Sequence, residues 1–358
     1  MAAVEFGVND PLAVKLWTKK LRVETLKKTY VDKFIGTSKN SLLYEQSDLK
    51  KAAGDRIRMG LRVQFSGAGV LGDGTLEGNE EAMQTYYDDL IVNQLRHAAR
   101  SKGKMSEQRV PFSVRQENMD GLSDWTADRF DTAFANQICG NTAVTDVRYT
   151  GLQATIAPDA SHQIFGGNAT TDETCGAGDE FDLKLIDKCV EKAKTFSGSN
   201  MGMRPLKIGG KDYYVMFLHP YQVYDMRTNT NTSQWADIQQ AAMQGGKVED
   251  NPIFTGALGI YNGTVLHEWT RVTTGVNSTT GVAVANTRRA VFCGAQAACI
   301  GFAGGTGGIE GFEWEEELFD YRNSLGVSAG AIYGLKKSVF NSRDFATIVA
   351  STYAVAHS

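Results

Sequence analysis

Pro111-Phe-Ser-Val-Arg-Gln-Glu-Asn-Met-Asp-Gly-Leu-Ser-Asp-Trp-Thr-Ala-Asp-Arg-Phe-Asp-Thr-Ala-Phe-Ala-Asn-Gln-Ile-Cys-Gly140 is the stretch around which the chain is organised. Met119, Leu122, Trp125, Phe130, Ala133, Phe134 and Ile138 recur in it, all but the adjacent Ala133 and Phe134 at intervals of three to five. At 3.6 residues per turn that spacing gathers them on one broad face and predicts a single helix over 111–140. Pro111 suits a first turn, where a missing N–H costs nothing, and Gly140-Asn141 supplies a left-handed stop. Such a rod is about 40 Å long, well beyond the roughly 11–12-residue average of globular helices. Gly121 inside it costs ~1 kcal/mol against alanine, so the rod needs tertiary packing to hold. Met119, Leu122, Trp125, Phe130 and Phe134 are its expected core anchors.

Upstream, residues 55–65 alternate without a fault. Ile57, Met59, Leu61, Val63 and Phe65 point one way; Arg56, Arg58, Gly60, Arg62 and Gln64 point the other. The pattern predicts a half-buried antiparallel strand. A glycine-rich tip, Ser66 to Gly78, leads to a second strand from Tyr86 to about His97. Two strands alone are marginally stable in water, so this hairpin must rest on something else. Arg56, Arg58 and Arg62 share a face and repel one another unless carboxylates stand opposite. Asp88 and Asp89 on the returning strand are the nearest candidates, with the acidic stretch around Glu313 and Glu315 a candidate from a neighbouring subunit.

The balance of 358 residues is ordinary: 42% hydrophobic, 22% charged and a formal net charge of −4. Nothing in it drives the whole chain towards nucleic acid or an anionic membrane. Residues 1–60 are locally basic, with 12 Lys/Arg against 7 Asp/Glu, and residues 310–320 hold six acids and no base. The five cysteines form no CxxC pair, and no leader-like segment or 18-residue apolar run is present. Reduced thiols in a soluble, cytoplasmically made chain are the expectation, with no membrane, metal or cofactor.

Asp10-Pro11 opens a basic amphipathic helix expected to reach Phe34. Residues 141–180 read as loop and 180–197 as a helix. Lys207–Lys211 reads as a tight hairpin into the apolar strand Tyr213–Leu218, and His219-Pro220 opens a short helix to about Arg227. Ser233 caps a further helix to Gln244, and Asn262-Gly263 is a strong type I′ hairpin signal. Residues 272–287 read as loop, Arg289–Phe292 as strand, Gly294–Ile300 as a small-residue helix and Gly304–Gly308 as a linker. Strands are expected around Phe312–Tyr321, Gly326–Leu335 and Phe345–Tyr353.

Two catalytic signatures are missing: there is no HExxH or Walker A, and the histidines are scattered. Gly67-Ala-Gly-Val-Leu-Gly72 matches GxGxxG after a strand, with Asp88 further on, which makes a dinucleotide-binding oxidoreductase the alternative reading. The context argues against it. A Rossmann first strand is buried on both faces and does not carry three arginines. The acids that follow, Asp73 and Glu77, would repel a pyrophosphate.

Several stretches together resemble one family. They are Val14-Lys-Leu-Trp-Thr-Lys-Lys-Leu21, Gly54-Asp-Arg-Ile-Arg-Met-Gly-Leu-Arg62, Leu76-Glu-Gly-Asn-Glu-Glu81, Gln94-Leu-Arg-His97 and Lys104-Met-Ser-Glu-Gln-Arg109. Leu122-Ser-Asp-Trp-Thr-Ala-Asp128, Phe217-Leu-His-Pro-Tyr221, Phe292-Cys-Gly-Ala-Gln-Ala297 and Phe319-Asp-Tyr-Arg-Asn-Ser-Leu-Gly-Val327 complete the set. The chain resembles the N4-like major capsid proteins of tailed bacteriophages. The resemblance implies an α+β Hong Kong 97-type coat fold, with residues 1–53 as N-terminal arm and 54–100 as an extended β-hairpin loop. It implies a peripheral domain over 101–179, its spine helix spanning 103–140. An axial domain over 180–303 and C-terminal strands over 304–358 that complete the peripheral domain follow. The implied function is a non-enzymatic coat subunit of an icosahedral head. Its partners would be other copies in hexamers and pentamers, scaffolding, decoration and portal proteins, and packaged double-stranded DNA touched non-specifically. A compartment-shell subunit of the same fold is a further alternative.

Overall fold

A computed structural model describes residues 21, 24–25, 28–46, 54–62, 65–111, 113–195, 202–229, 257–304 and 312–357. The start of the N-terminal helix at Asp10-Pro11, the helix from Ser233 to Gln244, most of the linker Gly304–Gly308, and Val63, Gln64, Phe196 and Glu310 lie outside the described residues.

In chain order the first strands are β1 (Ile35–Gly36), β2 (Leu43–Gln46), β3 (Arg56–Arg62), β4 (Thr85–Ile91) and β5 (Asn93–Arg100). A short helix, Lys104–Gln108, precedes the spine helix, Val114–Cys139. Next come β6 (Gln163–Phe165), the helix Leu183–Thr195, β7 (Leu206–Ile208), β8 (Lys211–Leu218) and the helix Pro220–Asn229. They are followed by β9 (Gly259–Tyr261), β10 (Thr264–Glu268), β11 (Gly275–Val276), β12 (Ala283–Val284), β13 (Thr287–Cys293) and β14 (Ala298–Phe302). β15 (Phe312–Phe319), β16 (Ser324–Lys337), β17 (Val339–Phe340), β18 (Arg343–Asp344) and β19 (Thr347–Tyr353) close the chain.

The chain forms two units and passes between them five times, at 57/58, 89/90, 156/157, 297/298 and 336/337. The first unit is built on a six-stranded sheet in the order β1-β2-β14-β16-β15, with β5 also paired to β16. Its core is aromatic: the Phe130 ring of the spine helix lies 4.6 Å from Tyr333, 6.1 Å from Phe312 and 6.2 Å from Phe302. The second unit carries a seven-stranded sheet in the order β6-β19-β13-β8-β10-β9, with β7 beside β8. Apolar residues of β8, β13 and β19 fill it, and Asp172 and Arg289 form a buried ion pair. Asn262 and Gly263 both hold positive φ, 45° and 72°, as the type I′ turn between β9 and β10 requires.

Four expectations are corrected. The spine helix begins at Val114, capped by Ser113, whose hydroxyl accepts from the Gln116 N–H, and the stretch from 103 is a separate short helix. Pro111 explains the break: it lacks an N–H and turns the preceding residue away from helical ψ. Gly140 stops the spine in the left-handed region, φ 62° and ψ 44°. The N-terminal helix does not run to Phe34, because Tyr30–Phe34 is a 3-10 turn whose Tyr30 and Val31 N–H groups donate to Asp131. Gly294–Ile300 is not a helix, since Ala298–Phe302 is a strand in parallel register with β2. The tail also divides. β15 and β16 enter the six-stranded sheet, whereas β19 lies between β6 and β13 in the other sheet.

Candidate assembly surfaces

Strand alternation sets the chemistry of the hairpin. On β3, Ile57 and Met59 are buried while Arg56, Arg58 and Arg62 are exposed. Arg58 forms a two-pronged pair with Asp89 of β4, Nε to Oδ1 at 2.8 Å and Nη2 to Oδ2 at 3.0 Å. Its guanidinium also sits 4.4 Å from the centre of the Tyr87 ring. The hydrogen bonds and charge of Asp89 hold the Arg58 pKa above its ordinary value. Asp88, one residue earlier, points the other way and is buried, and its Oδ2 accepts from the Val339 N–H at 3.2 Å. Of the three arginines and two aspartates, the structure thus joins Arg58 to Asp89 and sends Asp88 to a different task.

The returning strand breaks at Val92, whose N–H donates to the Asp55 carbonyl. Beyond it β5 leaves the hairpin and pairs antiparallel with β16, from Asn93↔Tyr333 to Arg100↔Gly326. Residues 65–84 hold neither helix nor strand. No helix N-terminus therefore follows Gly67–Gly72 to receive a pyrophosphate. The Glu81 carboxylate gathers this loop, accepting from the N–H groups of Ser66 and Gly67, and those bonds hold its pKa below the usual carboxylate value. Phe65, Leu71, Leu76, Met83 and Tyr87 are all exposed on the arm. Leu71 is 95% exposed, so this chain gives its side chain no cover.

On the spine helix, Met119, Leu122, Phe130 and Phe134 are buried. Trp125 is only half-buried and stacks on His97 of β5 with ring centres 4.7 Å apart. Glu313 and Glu315 lie on the outward side of β15, and Glu313 accepts from Gln94 Nε2 at 2.7 Å. Between them and Glu317 lies an acid that sequence reasoning missed. Glu316 is buried and accepts from Arg115 Nε at 2.8 Å and Nη2 at 2.6 Å, and from Trp314 Nε1 at 2.8 Å. Its signal was available: it keeps the two-residue register of Phe312 and Trp314, and a carboxylate on a core face requires a partner.

The outward face of the same sheet forms a trough of about 670 Å³. Its floor is β16, where Gly326 and Ser328 alternate outward between taller strands. One wall is acidic, Glu315 and Glu317 on β15, and the other ends in Arg100 on β5. A Cβ on Gly326 would lie 2.6 Å from the Phe319 ring, and one on Gly330 2.7 Å from Arg96 Cγ. Gly326 and Gly330 are therefore glycine because side chains of the neighbouring strands lean over them.

Ser161, His162 and Asp159 also meet, but they form no proton relay. His162 Nδ1 faces both the Ser161 hydroxyl (3.1 Å) and Asp159 Oδ2 (3.3 Å), so one nitrogen would have to serve both partners. Burial pushes the His162 pKa down. Among the described residues no group of three or more His, Cys, Asp or Glu side chains is arranged to hold a metal ion.

Comparison with known proteins agrees with the fold. A family model described as phage capsid protein matches residues 5–356. The major capsid protein of Pseudomonas phage KPP25 is 26% identical over 378 residues, covering 93% of each chain. Among solved structures, the capsid of Ralstonia phage GP4 superposes with a TM-score of 0.81 at 32% identity, over 100% of both chains. The cyanophage Pam1 capsid shares the fold, with a TM-score of 0.71 at 18% identity over 100% of this chain and 95% of that one. A Hong Kong 97-like α+β architecture and a match spanning nearly the whole sequence lead to one conclusion: the chain belongs to the phage capsid protein family.

Proposed function

We propose that this major capsid protein builds an icosahedral phage head around double-stranded DNA by laying on a neighbour the hairpin of each copy's arm 54–100, up to the start of β5. The observation that carries the reading is the arm's apolar side chains, Phe65, Leu71, Leu76 and Met83, left in water by their own chain. Apolar surface of this kind is characteristic of a contact yet to form. In this reading the N-terminal arm 1–53 and the arm 54–100 join capsomers, and the six-stranded unit is the peripheral domain. The seven-stranded unit is the axial domain at capsomer centres. Scaffolding, decoration and portal proteins act on the shell, assembly takes place in the host bacterial cytoplasm, and DNA is touched without sequence preference.

Negative-stain and cryo-electron microscopy of the protein, alone and co-expressed with its phage's scaffolding protein, tests this. Closed shells or capsomers with residues 65–84 seated on a neighbour are expected. A strictly monomeric species at high concentration under both conditions refutes it. Shells that enclose protein cargo and never DNA point instead to a compartment.

A further inference from the structure

The turn joining β15 to β16 is unlike any other among the described residues. Asp320, Tyr321 and Arg322 follow one another in the left-handed region, at φ 52°, 48° and 67°, and none is glycine. Each pays a steric penalty there that glycine would avoid, so the side chains themselves are wanted. Asn323 locks the arrangement: its N–H donates to the carbonyls of Phe319 (3.1 Å) and Asp320 (2.9 Å), while its own carbonyl accepts from the Lys104 N–H (3.0 Å). Its side-chain amide donates to Asp320 Oδ2 at 3.3 Å. The result is a fixed knob whose tip, Tyr321, is fully exposed.

The trough on the same sheet has the complementary character. It ends at Phe319, whose ring lies 4.3 Å from the Arg100 guanidinium, and Glu315 and Glu317 line its acidic wall. An aromatic ring with a hydroxyl at its far end suits this lining: the ring packs on the small-residue floor and the hydroxyl donates to a carboxylate. Arg322 and Asp320, on either side of the tyrosine, match Glu317 and Arg100 in charge. Because Tyr321 is fully exposed, it does not fill the trough of its own chain.

We propose that the Asp320–Asn323 turn of one copy seats Tyr321 in the β5-β16-β15 trough of a second copy, with Arg322 beside Glu317. A rigid aromatic anchor flanked by charges is the usual form of an interface hot spot, and a locked turn loses little freedom on docking. The inference rests on the reading of this chain as a shell subunit, and the two are tested separately.

Shells are assembled from wild-type protein, from Arg322→Cys alone, from Glu317→Cys alone, and from an equal mixture of the two variants. After mild oxidation the mixture should give covalent dimers on a non-reducing gel, and neither variant alone should. A disulfide forms only if the two Cα atoms come within about 7 Å. A second arm uses charge: Arg322→Glu should lower shell yield at least tenfold, and adding Glu317→Arg should restore most of it. Normal wild-type and mixed shells without dimers, or full yield from Arg322→Glu, overturn the contact while leaving the shell reading intact. If wild-type chains form no shell with scaffolding protein present, the shell reading itself fails. Rescue of Arg322→Glu by an added partner protein that covers the trough would also overturn the proposal, by identifying a different occupant.

Discussion

The spine helix and the hairpin arm both show periodic sequence patterns, interrupted by Asp131 in the spine and unbroken in β3, yet they finish their structures differently. The spine buries Met119, Leu122, Phe130 and Phe134 within its own chain, with Phe130 against aromatic rings of β14, β15 and β16. The arm buries Ile57, Met59 and Leu90 at its base and leaves Phe65, Leu71 and Leu76 in water. A periodic pattern states which face will be covered; it does not state by which molecule. Stability measured on the free subunit should therefore depend on the spine and the base of the arm and be nearly blind to the arm's tip. Assembly should depend on both.

The largest effect is expected at Phe130, which touches three other aromatic rings. Phe130→Ala should cost ~3–5 kcal/mol in urea unfolding of the subunit. A loss below 1 kcal/mol would erase the contrast. Next come Leu122→Ala, at roughly 2–5 kcal/mol, and Trp125→Ala, which should cost less than Leu122→Ala because its ring is half-buried over His97. The reverse order would show that the His97 stack, and not burial, anchors that turn. On the arm, Leu71→Ser with Leu76→Ser should leave the subunit's Tm unchanged and reduce shell yield several-fold by light scattering. A lower Tm would mean that the loop packs on its own chain.

Arg58 sharpens the comparison further, because it has an internal partner. Arg58→Glu should hardly change Tm, since its pair with Asp89 is open to solvent. It should slow assembly at low salt, with partial recovery at high salt. If the charge-reversed pair Arg58→Glu with Asp89→Arg assembles normally, the arginine serves the hairpin alone. The smallest effect belongs to Glu81. Its folded pKa lies below its unfolded value, so the order it lends to residues 66–67 is present above the unfolded pKa and is lost as pH falls through the folded one. Glu81→Gln at neutral pH should speed hydrogen exchange at the Ser66 and Gly67 amides and leave the spine unaffected. Unchanged exchange there would remove Glu81 from any part in shaping the arm.

What could be read from sequence was what neighbouring residues decide. The stop at Gly140, the Asn262-Gly263 turn and the alternation of β3 need only a few residues each, and the structure contains all three. The helix start was misplaced by three residues because Pro111 and Ser113 are both plausible openings. Gly294–Ile300 was misread because short alanine-rich segments take the conformation of whatever flanks them, here β2. The Arg115–Glu316 pair spans 201 residues, and no local rule reaches that far. The trough was hidden for the same reason. Gly326 and Ser328 read as an unremarkable strand until β5 and β15 rise on either side.

The five passages of the chain between its two units bear on how it is made. The six-stranded sheet cannot close until β14, β15 and β16 arrive, and the other sheet waits for β19 at residues 347–353. At ~5–20 residues per second a ribosome needs ~10–40 s to deliver the 201 residues that separate Arg115 from Glu316. Throughout that interval the apolar side of the spine helix has no sheet to cover it. Such non-local closure folds slowly and leaves aggregation-prone intermediates. A coat subunit whose two sheets both wait for late strands is expected to stay open to aggregation for most of the time its chain takes to be made.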